Sequence, residues 1–148
     1  EMQRSLVGSE MCIRDRLGKV IASTSMIDYI TQNAELLETI GIFFPFILAA
    51  ILKSAQGSST VALTTTAGIV APILPVLGLD SPIRATLAVM AIGAGAMTVS
   101  HANDSYFWVV TNFGAMTPEK GYKTQTMATL VLGLSGMLEI FILSLFLH

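Results

Sequence analysis

A chain of 148 residues with 53% hydrophobic and only 12% charged residues, and a mean hydropathy of +0.70, lies far from the soluble-domain average of about 25% charged and reads as an integral membrane protein. Its formal net charge of -2 and its scattered Lys and Arg leave no basic patch, which excludes nucleic acid as a partner and gives no cluster for an anionic lipid surface. The length allows a few membrane crossings, as expected of a subunit or a fragment.

In chain order, Leu6–Arg16 reads as the in-frame translation of a transposase adapter used in sequencing libraries. Residues 1–16 are therefore expected to be an artefact of cloning or assembly, with a short polar amphipathic leader as the alternative. Cys12, the only cysteine, falls in this part and says nothing about redox compartment. The native chain is expected to begin upstream, and residues 17–148 carry the fold. Leu17, Val20, Ile21, Ile27 and Ile30 recur at near-helical spacing among Lys19, Asp28 and Gln32, predicting an interfacial amphipathic helix over residues 17–33.

A spanning helix needs about 20 residues to cross about 30 Å of hydrocarbon. Ile40–Leu52 is uncharged but too short, and it stops at Lys53 and the cluster Gln56-Gly57-Ser58-Ser59-Thr60. Val61–Leu79 is apolar apart from its threonines and carries Pro72 and Pro75 near its end. Two apolar arms around a small polar tip predict a re-entrant helical hairpin. Ala85–Val99 is also short of a span and ends at Ser100-His101-Ala102-Asn103-Asp104-Ser105, after which helical character resumes over Tyr106–Phe113. Residues 82–113 thus read as one crossing with an unwound or strongly polar middle, where Gly93 and Gly95 allow close backbone approach. Thr117 and Pro118 fit the N-cap and first position of a helix. Met127–Leu147 is long enough to span and holds one acid, Glu139, for which a contact inside the bundle is the favoured reading. Lys120 and Lys123 place the preceding loop in the cytoplasm, and His148, the Asp80–Arg84 loop, Asp28, Glu35 and Glu38 outside. The expected fold class is an all-α membrane protein: an interfacial helix, a re-entrant hairpin, an interrupted transmembrane helix and a final transmembrane helix.

Polar groups at membrane depth must find partners in the protein or line a cavity. Ser58, Ser59 and Thr60 offer hydroxyls, Gln56 an amide, and Gly57 accessible backbone; a helix starting near Val61 aims its positive end past Thr60. Such a tip suits a carboxylate, although the same residues also serve as caps. Lys53 either draws an anion to the tip or snorkels to water. His101 and Asp104 flank Asn103 and have the chemistry to carry a proton near neutral pH. The alternative is that Asp104 caps the helix beginning near Ser105 and His101 is a satisfied interior histidine. Tyr106, Phe107 and Trp108 read as packing or interface anchors.

Phe46–Ala62, Ala67–Pro72 and Ser100–Trp108, in this order and separation, resemble the gluconate permease family of proton symporters, with the similarity running from about Leu17 to the C-terminus. The resemblance implies that residues 17–148 are the C-terminal part of a permease transmembrane domain, within the wider ion-transporter superfamily of inverted repeats. There a hairpin tip and an interrupted helix meet near the midplane and the transport domain moves like an elevator. By position, Lys53, Gln56, Gly57, Ser58, Ser59, Thr60 and Asn103 would contact a hydroxylated monocarboxylate such as gluconate, and His101 or Asp104 would carry the proton that drives it inward. It implies no enzyme activity, no cofactor and no metal. The implied partners are the substrate, protons, membrane lipids, the missing N-terminal half and, in a homodimer, a second copy, in a multi-pass protein of the inner membrane. Family members often carry Val at Ala102 and Gly at Tyr106, and some carry an acid at Ala128. Tyr106 would narrow the pocket, so the sugar-acid class is favoured over gluconate itself, with keto-sugar acids and D-serine as substrates of related permeases. Two other readings stay open. Ser58 or Ser59 with His101 and Asp104 has the residue types of an intramembrane serine hydrolase, without a Gly-x-Ser-x-Gly elbow. A structural membrane subunit predicts that both clusters tolerate apolar replacement.

Overall fold

Helix α1 (Phe43–Gln56) is closed by Gly57, whose left-handed backbone (φ 69°) lets its N–H return to the Lys53 carbonyl at 2.8 Å. The computed structural model describes residues 41–147; residues 1–16, the amphipathic helix expected over 17–33, and His148 lie outside them. The first apolar run was expected to stop at Lys53, yet α1 continues through it for another turn. Lys53 is buried and held inside the protein, so it does not end the helix by reaching for water. After Gly57, Ser58 caps helix α2 (Ser59–Val70) by accepting from the Val61 N–H at 3.4 Å. The helix then tightens into a 3-10 turn over Ala71–Ile73 at Pro72, which has no N–H to continue the ladder. The two helices pack on each other as a hairpin.

Helix α3 (Pro82–Met97) starts on the Ser81 cap with proline at its first position. Residues 98–104 leave the helix, and α4 (Ser105–Phe113) resumes on the cap of Asp104, so the interruption lies where the polar cluster predicted it. Val99, a β-branched residue just inside this break, has a left-handed φ of 53°, a conformation costing about 1–3 kcal/mol that only surrounding contacts can hold. Thr117 then caps α5 (Pro118–Gly121) as expected, by accepting from the Lys120 N–H. This short helix runs through a π-helical turn (Tyr122–Thr126) into α6 (Met127–Phe146). Together they make an unbroken helix of 29 residues, Pro118–Phe146, the one helix among the described residues long and apolar enough to cross a membrane. Elsewhere the described residues form helices and turns without strands, as an all-α reading requires.

Helix α3 is the centre of the packing. On one side Ala88 and Ile92 meet Ala49 of α1 and Val70, Ile73, Leu77 and Leu79 from α2 and the turns after it. On the other, Leu87 and Ala91 meet Ile42 and Phe46 together with Met137 and Ile140 of α6. A side chain at Gly95 would strike the Phe46 carbonyl and the Ala49 methyl, so α1 and α3 cross with their backbones nearly in contact. Close approach through small residues replaces the hydrophobic effect as the force between helices in lipid. Outward-facing Val89 and Met90 on α3, and Val131, Leu134 and Leu138 on α6, are exposed, an arrangement that hydrocarbon tolerates and water does not. Glu139 is also exposed on α6; its side of the helix faces away from α1 and α3, so the contact expected of it is not made with these helices.

The π turn has a geometric purpose. Gly121 leaves no room for a side chain against Thr111 and Phe107 of α4, and Gly133 none against Thr98. At about 100° per residue, two positions twelve apart on a regular α-helix point about 120° away from each other. A π turn takes up one extra residue; the separation then behaves as eleven, and the two glycines come within about 20° of one face. Deleting exposed Lys123 from the π turn is therefore expected to leave a regular helix with both contacts intact and little change in thermal unfolding temperature. Deleting exposed Leu132 turns Gly133 off Thr98 and is expected to lower that temperature sharply. Equal losses in detergent-solubilised protein would sink the account.

Candidate functional site

The two polar clusters, Gln56–Thr60 and Ser100–Ser105, lie far apart in the chain and meet in space. The Asn103 side-chain amide donates to the carbonyls of Ser54 at 3.3 Å and Ala55 at 3.0 Å, two acceptors that the end of α1 leaves without helical partners. Gly57 sits so close that any Cβ there would collide with the Asn103 carbonyl. Glycine is required twice at this position, for the left-handed turn and for the contact.

Beneath this joint lies an ion pair. Lys53 Nζ donates to Asp104 Oδ2 at 2.5 Å, with the two residues only 1% and 5% exposed. Ser100 Oγ donates to the same oxygen at 2.7 Å, and the Tyr106 N–H to Oδ1 at 3.0 Å. Asp104 therefore serves both as cap of α4 and as partner of a cation 51 residues away. Lys53 neither lies at the surface of the tip nor snorkels; its ammonium is spent on Asp104 inside the protein.

Ser100 is itself clamped from the final helix. Its N–H donates to Thr129 Oγ1 at 3.0 Å, and its carbonyl accepts from Thr126 Oγ1 at 2.6 Å. Thr126 and Thr129 stand one helical turn apart on one face and satisfy both backbone groups of a residue that has left the helix. This clamp also holds neighbouring Val99 in its strained conformation. From the other side, Trp108 Nε1 donates to the Ala102 carbonyl at 2.8 Å. The half-buried His101 accepts the Asn103 N–H at Nδ1, 3.2 Å away.

Of the residues the sequence singled out, Lys53, Gly57, Asn103 and Asp104 are thus brought into one joint, with His101 bonded to Asn103. Ser58 and Ser59 are half-buried beside it, while Gln56, Thr60 and Asn103 are exposed. Ser100, Thr126 and Thr129 escaped the reading of the sequence as site residues. The signal available for the threonines was their spacing of three at the start of a spanning helix, a polar stripe where lipid offers no partner. Among the described residues no group of His, Cys, Asp and Glu has the arrangement of a metal site.

A family profile described as GntP family permease matches residues 15–146. The inner membrane permease YgbN of Escherichia coli K12 is 34% identical over 121 residues, covering 82% of this chain and 26% of that protein. A gluconate permease of Pseudomonas aeruginosa is 34% identical over 136 residues, covering 92% of this chain and 28% of the relative. The Gnt-II system L-idonate transporter of Escherichia coli K12 is 37% identical over 101 residues, covering 68% of this chain and 22% of the relative. The chain thus spans about a quarter of the length of these curated relatives. No solved structure matches.

Because a buried charge stripped of its partner is penalised far more than the pair is rewarded, Lys53→Ala or Asp104→Ala alone is expected to cost about 3–5 kcal/mol. The double variant Lys53→Met/Asp104→Asn, which keeps a capping side chain on α4, is expected to recover most of that loss in chemical denaturation. Non-coupling of the two substitutions would contradict the pairing. Gly57→Ala is expected to lower the unfolding temperature more than alanine at exposed Gln56, the test being a side-by-side thermal melt.

Proposed function

Because the chain belongs to the GntP permease family, a family of membrane transporters and not of enzymes, we propose that it is the C-terminal part of a proton-coupled secondary transporter that imports gluconate or a related sugar acid. The observation that carries this reading is the joint between the α1–α2 turn and the interruption after α3. In this reading α1 and α2 are a re-entrant hairpin, α3 and α4 the two halves of one interrupted crossing, and α6 the last crossing of a multi-pass protein in the inner membrane. Lipids surround it and the rest of the permease completes it; pairing as a homodimer is compatible with the exposed apolar faces.

Gluconate and L-idonate, named for two of the relatives, are hydroxylated monocarboxylates, and the chemistry at the joint suits both halves of such a molecule. The carboxylate is drawn to the backbone N–H groups opening α2, next to Ser59 and Thr60, where the helix dipole is positive. Gln56, Ser58, Ser59, Thr60 and Asn103 supply paired donors and acceptors for the hydroxyls. Gly57 contributes by letting Asn103 close against the tip, and Lys53 stands directly behind. His101 or Asp104 handles the proton. The hydrolase alternative loses ground because the family is one of permeases and a relative is named as an L-idonate transporter.

The test is uptake of labelled gluconate and L-idonate by cells expressing the full-length permease that carries this segment. Uptake is expected to collapse with a protonophore, and to fall at least about tenfold in the double variant Ser59→Ala/Asn103→Ala, since each lost hydrogen bond to an ionised or hydroxylated ligand is worth about 1 kcal/mol or more. Uptake left intact by that pair would place the substrate elsewhere.

A further inference from the structure

The ion pair at the joint is asymmetric. If the Lys53 ammonium moves away, Asp104 keeps the Ser100 hydroxyl and the Tyr106 N–H, whereas the ammonium has Asp104 as its hydrogen-bond partner among the described residues. Asp104 is thus held by its own segment, on a backbone clamped by Thr126 and Thr129. Lys53 ends a flexible four-carbon stem on the turn of α1 that leads into Gly57, within the hairpin that would receive the substrate. The carboxylate is anchored by its own segment, whereas the ammonium is held, among the described residues, by the one contact with Asp104.

Building on the transport reading above, we propose that Lys53 exchanges carboxylates during the cycle. A proton arriving from outside binds Asp104 and releases the ammonium, which then holds the carboxylate of the incoming sugar acid. When Asp104 loses the proton to the cytoplasm, the ammonium returns to it and the substrate leaves. The charge balance supports this order. The empty site holds one cation and one anion, and the loaded site holds the same cation, a neutral carboxyl and the anionic substrate, so both are neutral overall. A proton without substrate, or substrate without a proton, leaves an uncompensated charge in a poorly solvated site, which is strongly disfavoured. Coupling of one proton to one monocarboxylate follows from the residues themselves.

The surroundings leave few competing groups. His101 is the other titratable side chain on the interruption, bonded to the Asn103 N–H. The face of the final helix against Ser100 presents the neutral Thr126 and Thr129. The start of α2 has hydroxyls only, and Glu119, Lys120 and Lys123 are exposed on α5 and the π turn.

The full-length permease, reconstituted in liposomes, tests the exchange. Gluconate accumulation is expected to follow an imposed pH gradient and to be indifferent to a potassium-valinomycin potential, with one proton taken up per gluconate. Asp104→Asn preserves a cap for α4 but cannot take the proton: gluconate-gluconate exchange is expected to persist while pH-driven accumulation is lost. Lys53→Gln is expected to weaken gluconate binding at least about tenfold. Accumulation driven by the potential in the wild type would overturn the exchange, and that measurement stands whether or not the variants fold. So would pH-driven accumulation surviving Asp104→Asn, including the case in which His101→Gln abolishes it. Failure of the wild type to take up any sugar acid would overturn the transport reading as well.

Discussion

The contact between Lys53 and Asp104 organises what surrounds it. A buried ammonium and a buried carboxylate are tolerable only together and only with their remaining hydrogen bonds made. Meeting that condition requires α1 to run a turn beyond its apolar stretch, and Asp104 to stand at the head of α4 within reach. Ser100 must turn its hydroxyl to the same oxygen, and the final helix must hold Ser100 in place. A strained Val99 is the backbone consequence. The joint seen from outside, with Asn103 on the end of α1 and Gly57 beneath it, closes over that pair.

The remaining structure supplies rigidity around the joint. Without a hydrophobic force between helices in lipid, association depends on close packing and interhelical hydrogen bonds. Gly95 brings α1 onto α3, Gly133 brings α6 onto Thr98, and Gly121 brings α5 onto α4. The π turn reconciles the last two by adjusting the phase of one long helix. These contacts position the interruption from both ends, so that the polar segment between α3 and α4 is a defined shape without being a helix.

Much of this was legible from local chemistry. The polar clusters, the caps at Ser58, Asp104 and Thr117, and the break between α3 and α4 all follow from residue types within a few positions of one another. What was not legible depended on distance along the chain. Nothing near Lys53 indicates an acid 51 residues away, so it read as an anion attractor or a snorkelling side chain, and α1 was expected to stop there. Asp104 caps α4, as one of the two readings weighed for it had it, and its other oxygen holds Lys53, a partner that neither reading named. Thr126 and Thr129 drew no reading from the sequence, because the backbone they clamp lies more than twenty residues away. The π turn has no sequence signature of its own, since it answers to the phase between two contacts. A single apolar run likewise does not reveal that Glu139 stands on the side of α6 turned away from α1 and α3.

The hydrogen bond from Trp108 to the Ala102 carbonyl has an optical consequence. It is the single tryptophan of the 148 residues, half open to its surroundings, with its indole N–H fixed to the segment that breaks the helix. The indole excited state responds to the strength of that bond and to nearby charge. Its emission is thus a native spectroscopic gauge of the interruption, sensing a rearrangement around Asp104 without any attached label.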